Sequence, residues 1–254
     1  MQRYFVDPEM FCGSTALISG DDARHLQTVM RAKAGDMVIV SDGRGREAEA
    51  RIFAFGSNGV EVELGPVRVC AAEPCVEVWI AQGLPKGDKM EIVIQKGTEA
   101  GAAGFVPFVS ERTVVRYDDR KEAKRNGRWA KIAKEAAEQA QRGRIPPVMP
   151  VSDWRGVLEF CKRADAAFIC YEREGELKFR QLLKELFGRG REPGRILRLA
   201  LVVGPEGGFA EREIAEAEAA GLVPVSLGRR VLRTETAALV ALSCIMYESG
   251  EMGG

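Results

Sequence analysis

The stretch 199–242, LALVVGPEGGFAEREIAEAEAAGLVPVSLGRRVLRTETAALVAL, constrains the fold more than any other part of the chain. Residues 199–203 form an unbroken apolar run without alternation, the pattern of a strand buried on both faces of a parallel sheet. Gly204-Pro205-Glu206-Gly207-Gly208 reads as a turn. Residues 211–220, rich in Ala and Glu, predict a helix that stops at Gly221. Residues 223–227 predict a second short strand, broken at Gly228. A basic loop, Arg229-Arg230-Val231-Leu232-Arg233, then leads to Thr234 as the N-cap of a last helix running from Glu235 to about Glu248. That helix carries Ala238, Leu239, Val240, Leu242, Ile245 and Met246 nearly all round, so it belongs in a core or a subunit interface. Two glycine-bearing turns are thus expected to end two neighbouring strands at one sheet edge, where α/β proteins bind ligands.

Neither turn is a common phosphate loop. A Walker loop ends in Gly-Lys-Ser/Thr, which Gly208-Phe209-Ala210 lacks, and Glu206 stands where a dinucleotide fingerprint needs its second glycine. What the pair does resemble, GPEGGF followed by LGRRVLRTETA, is the cofactor site of the SPOUT methyltransferases, and within them the family that methylates N3 of a uridine in 16S ribosomal RNA. The resemblance implies an enzyme that uses S-adenosylmethionine and a C-terminal chain threaded into a trefoil knot. It places the cofactor against Tyr171, Glu172, Val203, Gly204, Pro205, Glu206, Gly207, Gly208, Leu227, Gly228, Leu232, Arg233, Thr234, Glu235, Thr236 and Ala237. The glycines at 204, 207, 208 and 228 would let main chain approach it. Catalysis would fall to Arg233, stabilising a developing uracil anion, and to Glu235 or solvent as acceptor of the N3 proton.

Bulk charge offers nucleic-acid binding no support: Lys+Arg and Asp+Glu are both 37, giving a net charge of +0. It does not exclude a local basic surface. Six cysteines without a C-x-x-C pair, and His25 as the sole histidine, argue against a metal site and against a Ser-His-Asp hydrolase. No run of 18 apolar residues occurs and residues 1–7 lack the apolar core of a signal peptide, so no membrane association and a cytoplasmic location are expected.

Residues 1–72 predict a small β domain. Short strands at 37–40, 47–52 and 59–64 are separated by Asp42-Gly43-Arg44-Gly45 and Ser57-Asn58-Gly59 turns. A helical piece lies between Asp21 and Ala34. Its His25-Leu26-Gln27-Thr28-Val29-Met30-Arg31 sequence, followed by Gly35-Asp36, matches the RNA-binding PUA-like barrel with which the same family opens. From Val76 the rhythm becomes strand–helix alternation: strands at 76–81, 104–109 and 166–172, helices at 86–100, 128–142 and 176–187, and a basic surface loop at 188–195. This predicts a five- or six-stranded, mostly parallel sheet with helices on both faces over residues 73–254. Gln95-Lys96-Gly97-Thr98-Glu99, Ser110-Glu111-Arg112 and Glu138-Gln139-x-x-Arg142 match the family as well.

The resemblance therefore implies an α/β protein with a PUA-like barrel followed by a SPOUT domain, working as a homodimer on the small ribosomal subunit. The expected RNA contacts are Arg3, Arg24, His25, Arg31, Lys33, Lys86, Lys89, Lys96, Arg112, Arg142 and Arg144. Two other readings stay open: a SPOUT enzyme that methylates a ribose 2′-oxygen, and a ribosome-assembly factor that keeps the fold without turnover.

Overall fold

The computed structural model describes residues 1–11, 13–114, 122–171, 179–188 and 195–253. The chain divides into two units, residues 1–73 with 134–145, and residues 74–133 with 146–254. The first unit is therefore not contiguous, whereas the sequence reading put 134–145 wholly in the second domain.

Six strands build the first unit: β1 (Arg3–Phe5), β2 (Thr15–Ile18), β3 (Met37–Ser41), β4 (Arg46–Gly56), β5 (Gly59–Leu64) and β6 (Arg68–Val69). They pair in the order β1-β3-β4-β5-β2, with β6 on β4. β1, β2 and β6 are too short to carry a readable alternation. The inward side chains, among them Tyr4, Ile18, Leu26, Val40, Ile52 and Val62, form one buried cluster. The helix expected between Asp21 and Ala34 is only a short α1 (Gly20–Arg24) running into a π-helical turn, His25–Val29. It ends at Arg31, whose φ of 50° is left-handed.

Segment 134–145 joins this unit through charge. Glu73 accepts hydrogen bonds from the Arg142 guanidinium and from the backbone N–H groups of Gly143 and Arg144. Lys134 bonds Asp22 and lies 3.6 Å from Glu138. The Tyr4 hydroxyl meets His25 Nδ1 at 3.0 Å.

The second unit contains β7 (Val76–Gly83), α2 (Lys89–Glu99), β8 (Gly104–Val109), α3 (Glu122–Gln139, whose last turns belong to the first unit), β9 (Ser152–Asp153), α4 (Trp154–Cys161), β10 (Ala166–Cys170), α5 (Phe179–Gly188), β11 (Leu197–Val203), α6 (Glu211–Ala219), β12 (Val223–Val225) and α7 (Thr234–Glu248). Its sheet runs β12-β10-β11-β7-β8-β9, and every pair is parallel. Alternate residues face opposite sides. Ala81, Phe108, Ile169 and Val202 pack with Val157 and Cys161 of α4 and Ile214 and Ala217 of α6. On the other face Gly97 of α2 lies against Ile80 and Phe105, and Phe179 of α5 meets Phe168 edge-on. β11, in the middle, is buried from Leu199 to Val203, as its unbroken apolar run requires. Pro224 is tolerated because β12 is an edge strand.

Burial pushes the Glu138 carboxyl up from 4.5 to about 7; Lys134 opposes the shift and Asp22 adds to it. A native value above the unfolded one means the folded state holds that proton more tightly. The contribution of Glu138 to stability is thus greatest below pH 4.5 and is lost as pH rises through about 7. Glu138→Gln should flatten this loss. Urea melts at pH 5 and pH 8 should show a smaller stability difference for the variant than for the wild type, and equal differences would refute the assignment.

Candidate active site

Because the strands of this sheet are parallel, the carboxyl ends of β7, β10, β11 and β12 emerge at one edge. Gln82 and Cys170 both pair with Val203, and Cys170 also pairs with Val225. The two glycine turns do meet there, but β11 and β12 are not neighbours as expected: β10 runs between them. Tyr171 therefore stands between the two turns. Glu172, placed beside it by the sequence reading, lies outside the described residues.

A buried polar node fastens the edge. Thr234 Oγ1 donates to the Gly204 carbonyl at 2.6 Å and accepts from Gln82 Nε2 at 2.8 Å. Gln82 Nε2 also reaches the carbonyls of Gly83, at 2.9 Å, and Gly204, at 3.4 Å. Thr234 is not the N-cap predicted for it. Arg233 holds that position without a side-chain bond, and Thr234 opens α7 with its hydroxyl spent on Gly204. Gly83 approaches the turn so closely that an added Cβ would lie 2.6 Å from the Pro205 ring. Sequence reasoning missed Gln82 and Gly83. The signal was present, since both directly follow a predicted strand and so stand at the same edge as Gly204.

The GPEGG turn is held on its other sides too. Phe209 stacks on Phe108 and packs against Trp154. The buried Glu213 accepts from the backbone N–H of Glu111 and of Ala210, both at 2.9 Å. Glu206 accepts from Lys86 N and from Lys89 Nζ at 2.7 Å. Desolvation raises the Glu206 carboxyl, but these hydrogen bonds outweigh it and leave the group below the usual carboxylate range.

The four glycines divide. Gly204 and Gly207 are packed against protein, since a Cβ on them would come within 3.0 Å of Phe209 and of Arg112, respectively. Gly208 and Gly228 have φ of 65° and 116° and nothing within 4 Å of an added Cβ. The Cβ directions of Gly204 and Gly207 are thus filled by protein, and those of Gly208 and Gly228 are open. Below Gly228 lies a cleft of about 130 Å³ lined by Tyr171, Leu227, Leu232 and Ala237, together with Cys170, Val225 and Ser226. Arg230 and Val231 complete its lining, so the cleft combines apolar walls with polar groups from Ser226 and Arg230. Val203 and Pro205 are buried beside it, Thr236 is half-buried, and Arg233 is exposed at the head of α7. Glu235 is also half-buried; its Oε2 accepts no hydrogen bond among the described residues and lies 4.0 Å from Lys89 Nζ.

Residues 71–246 match the model of an RNA methyltransferase domain, and residues 18–65 match that of an RNA methyltransferase PUA domain. The chain belongs to this RNA methyltransferase family. It is 38% identical to the ribosomal RNA small subunit methyltransferase E of Bacillus subtilis over 100% of this chain and 99% of that one. A methyltransferase from Legionella pneumophila, solved with the bound cofactor SAM, superposes with a TM-score of 0.83 at 30% identity, covering 96% of each chain. The ribosomal RNA small subunit methyltransferase E of Neisseria gonorrhoeae, bound to S-adenosyl methionine, does so at 0.81 and 30%, covering 97% of each.

The basic residues expected to meet RNA in this methyltransferase chain do not share one environment. Arg3 is buried and paired with Glu47 at 2.7 Å, and Arg142 is buried against Glu73; neither is a surface cation, which corrects the expectation for both. In each case the guanidinium satisfies a carboxylate inside the first unit. Lys89 is held by Glu206, Lys96 bonds Glu99, and Arg112 donates to the Gly207 carbonyl. His25 is half-buried on Tyr4. Arg24, though paired with Asp21, is exposed, as are Arg31, Lys33, Lys86 and Arg144.

Thr234→Val keeps the shape of the node but removes a donor and an acceptor from buried partners. It should cost about 1–3 kcal/mol in chemical denaturation, and it should weaken S-adenosylmethionine binding measured by calorimetry. Unchanged stability and affinity would show that the node does not hold the edge.

Proposed function

We propose that this chain transfers the methyl group of S-adenosylmethionine to N3 of a uridine in 16S ribosomal RNA of the small subunit, in the cytoplasm. The observation that carries this reading is the meeting of the carboxyl ends of β10, β11 and β12 at one parallel edge, with the R-T-E-T-A segment of Arg233 and Glu235 following β12. Gly228, Gly208, Leu227, Leu232, Ala237 and Tyr171 are the residues assigned to hold the cofactor, which supplies an already activated methyl group on a sulfonium. The protein then has to orient the two reactants, exclude water and manage one proton.

Uridine N3 carries a weakly acidic hydrogen that must leave before its lone pair is free. Arg233, exposed at the start of α7, supplies positive charge where the uracil anion forms. Glu235, half-buried two residues on, takes the proton. The exposed cations Arg24, Arg31, Lys33, Lys86 and Arg144 serve as RNA phosphate contacts. α7 has no polar face. Val240 is half-buried, and Cys244 and Tyr247 are exposed, along one stripe that a second copy of the chain would cover as a homodimer. A trefoil-knotted path for the C-terminal chain belongs to the same reading, carried by the family to which residues 71–246 match.

Incubation with small ribosomal subunits and labelled cofactor, followed by nucleoside mass analysis, should yield 3-methyluridine; a ribose-methylated product would select the alternative enzyme class. Arg233→Ala should slow single-turnover methyl transfer by on the order of a hundredfold or more while RNA affinity is largely kept. Loss of RNA binding with normal transfer at saturating RNA would instead make Arg233 a docking residue. Sedimentation at micromolar concentration should give a dimer, and an active monomer would refute the assembly.

A further inference from the structure

A second cleft, about 450 Å³ in volume, opens in the methyltransferase unit between the β7–α2 turn and the first turns of α3. Leu84, Asp88 and Glu91 line one wall, and Lys124, Arg125 and Arg128 the other, with Trp129 beneath. We propose that this cleft holds the sugar–phosphate backbone of the RNA strand flanking the target nucleotide, with Lys124, Arg125 and Arg128 binding its phosphates. The proposal rests on the RNA methyltransferase reading given above.

Three observations carry it. The first is charge. Residues 124 and 128 are one helical turn apart, with 125 beside them, so three cations share one wall. Glu91 and Arg128 pair at 2.7 Å, which leaves Lys124 and Arg125 facing one further carboxylate, Asp88, so the cleft keeps a net positive charge. The second is the kind of surface. Trp129 is 4% exposed and the Arg125 guanidinium lies over its ring at 5.9 Å, so no aromatic face is free for a base to stack on. A cleft walled by guanidinium groups without a stacking platform is suited to phosphate oxygens. The third is position. Leu84 directly follows Gly83, the residue packed against Pro205 of the GPEGG turn. A strand entering this cleft therefore begins one residue away from the edge where the methyl group is transferred.

The test uses the full chain, a fluorescein-labelled uridine-containing single-stranded RNA, and small ribosomal subunits. Lys124→Glu alone, and Lys124→Gln with Arg128→Gln, should each weaken RNA binding by about tenfold or more near physiological salt. For single-stranded RNA the log–log salt slope should flatten by about 0.7 for each phosphate that the variant no longer neutralises. KM for subunits should rise more than kcat falls, and calorimetric affinity for S-adenosylmethionine should stay at the wild-type value, showing that the edge is intact. Lys124→Arg should restore most of the RNA affinity, which a purely structural role for the position would not require. Wild-type RNA affinity and salt slope in both reversal and neutralisation variants would overturn the proposal alone. A wild-type protein that binds the cofactor but neither RNA nor subunits would overturn the functional reading, and this proposal with it.

Discussion

The Thr234 hydroxyl, set between the Gly204 carbonyl and the Gln82 amide, is the interaction on which the active edge depends. In an all-parallel sheet no hairpin ties one strand end to the next, so the turns leaving the carboxyl edge are free of each other unless side chains join them. Here one buried hydroxyl joins three segments: the end of β7, the turn after β11, and the start of α7. Its partners are buried, so an unmade bond would leave a polar group without water. Three acceptors converge on Gln82 Nε2, which fixes the direction of the amide and leaves Oε1 with no partner among the described residues. That local cost is tolerated because the alternative orientation would set the amide oxygen against the carbonyls of Gly83 and Gly204.

Much of the second unit is legible in the chain because its strands are long apolar runs and its turns are marked by glycine. β11 and the turn that follows it at Gly204 are legible from the unbroken 199–203 run and the glycines after it. β9 and α4 do not. β9 has two residues, and α4, WRGVLEFC, is too short to show a repeating period, although the Asp153 side chain caps it by accepting from Gly156 N. Thr234 shows a subtler limit. Ser and Thr before an apolar run favour the N-cap, but the tertiary fold gave this hydroxyl a carbonyl across the edge and the cap moved to Arg233. The joining of 134–145 to the first unit was likewise hidden, because Glu73 and Arg142 are far apart in sequence and each reads alone as a solvated charge.

The same limit governs the cations. Arg3 and Arg24 both stand in sequences that suit an exposed, RNA-facing role. The difference is made by Glu47, which bonds Arg3 inside the first unit and is bonded again by Arg68. A buried guanidinium needs a carboxylate, so each buried arginine consumes an acidic residue. With 37 residues of each sign, internal pairing leaves net charge uninformative about the surface that remains. What can bind phosphate is decided by which cations are left after the fold has used its own.

The glycines of the two turns show how the edge is held in shape by the protein itself. Gly204 and Gly207 are small because Phe209 and Arg112 press against them, so side chains there would force the turn outward. Gly208 and Gly228 are left-handed, conformations that cost L side chains strain. The first pair fixes where the GPEGG turn lies, and Gly208 and Gly228 set the backbone direction, one in each turn. With Gly83 against Pro205, Glu213 across two N–H groups and Phe209 in its aromatic stack, the turn is held from three directions by groups that never need to touch a ligand. A ligand bound to such an edge would cost little loop entropy, which leaves more of the interaction energy for its alignment.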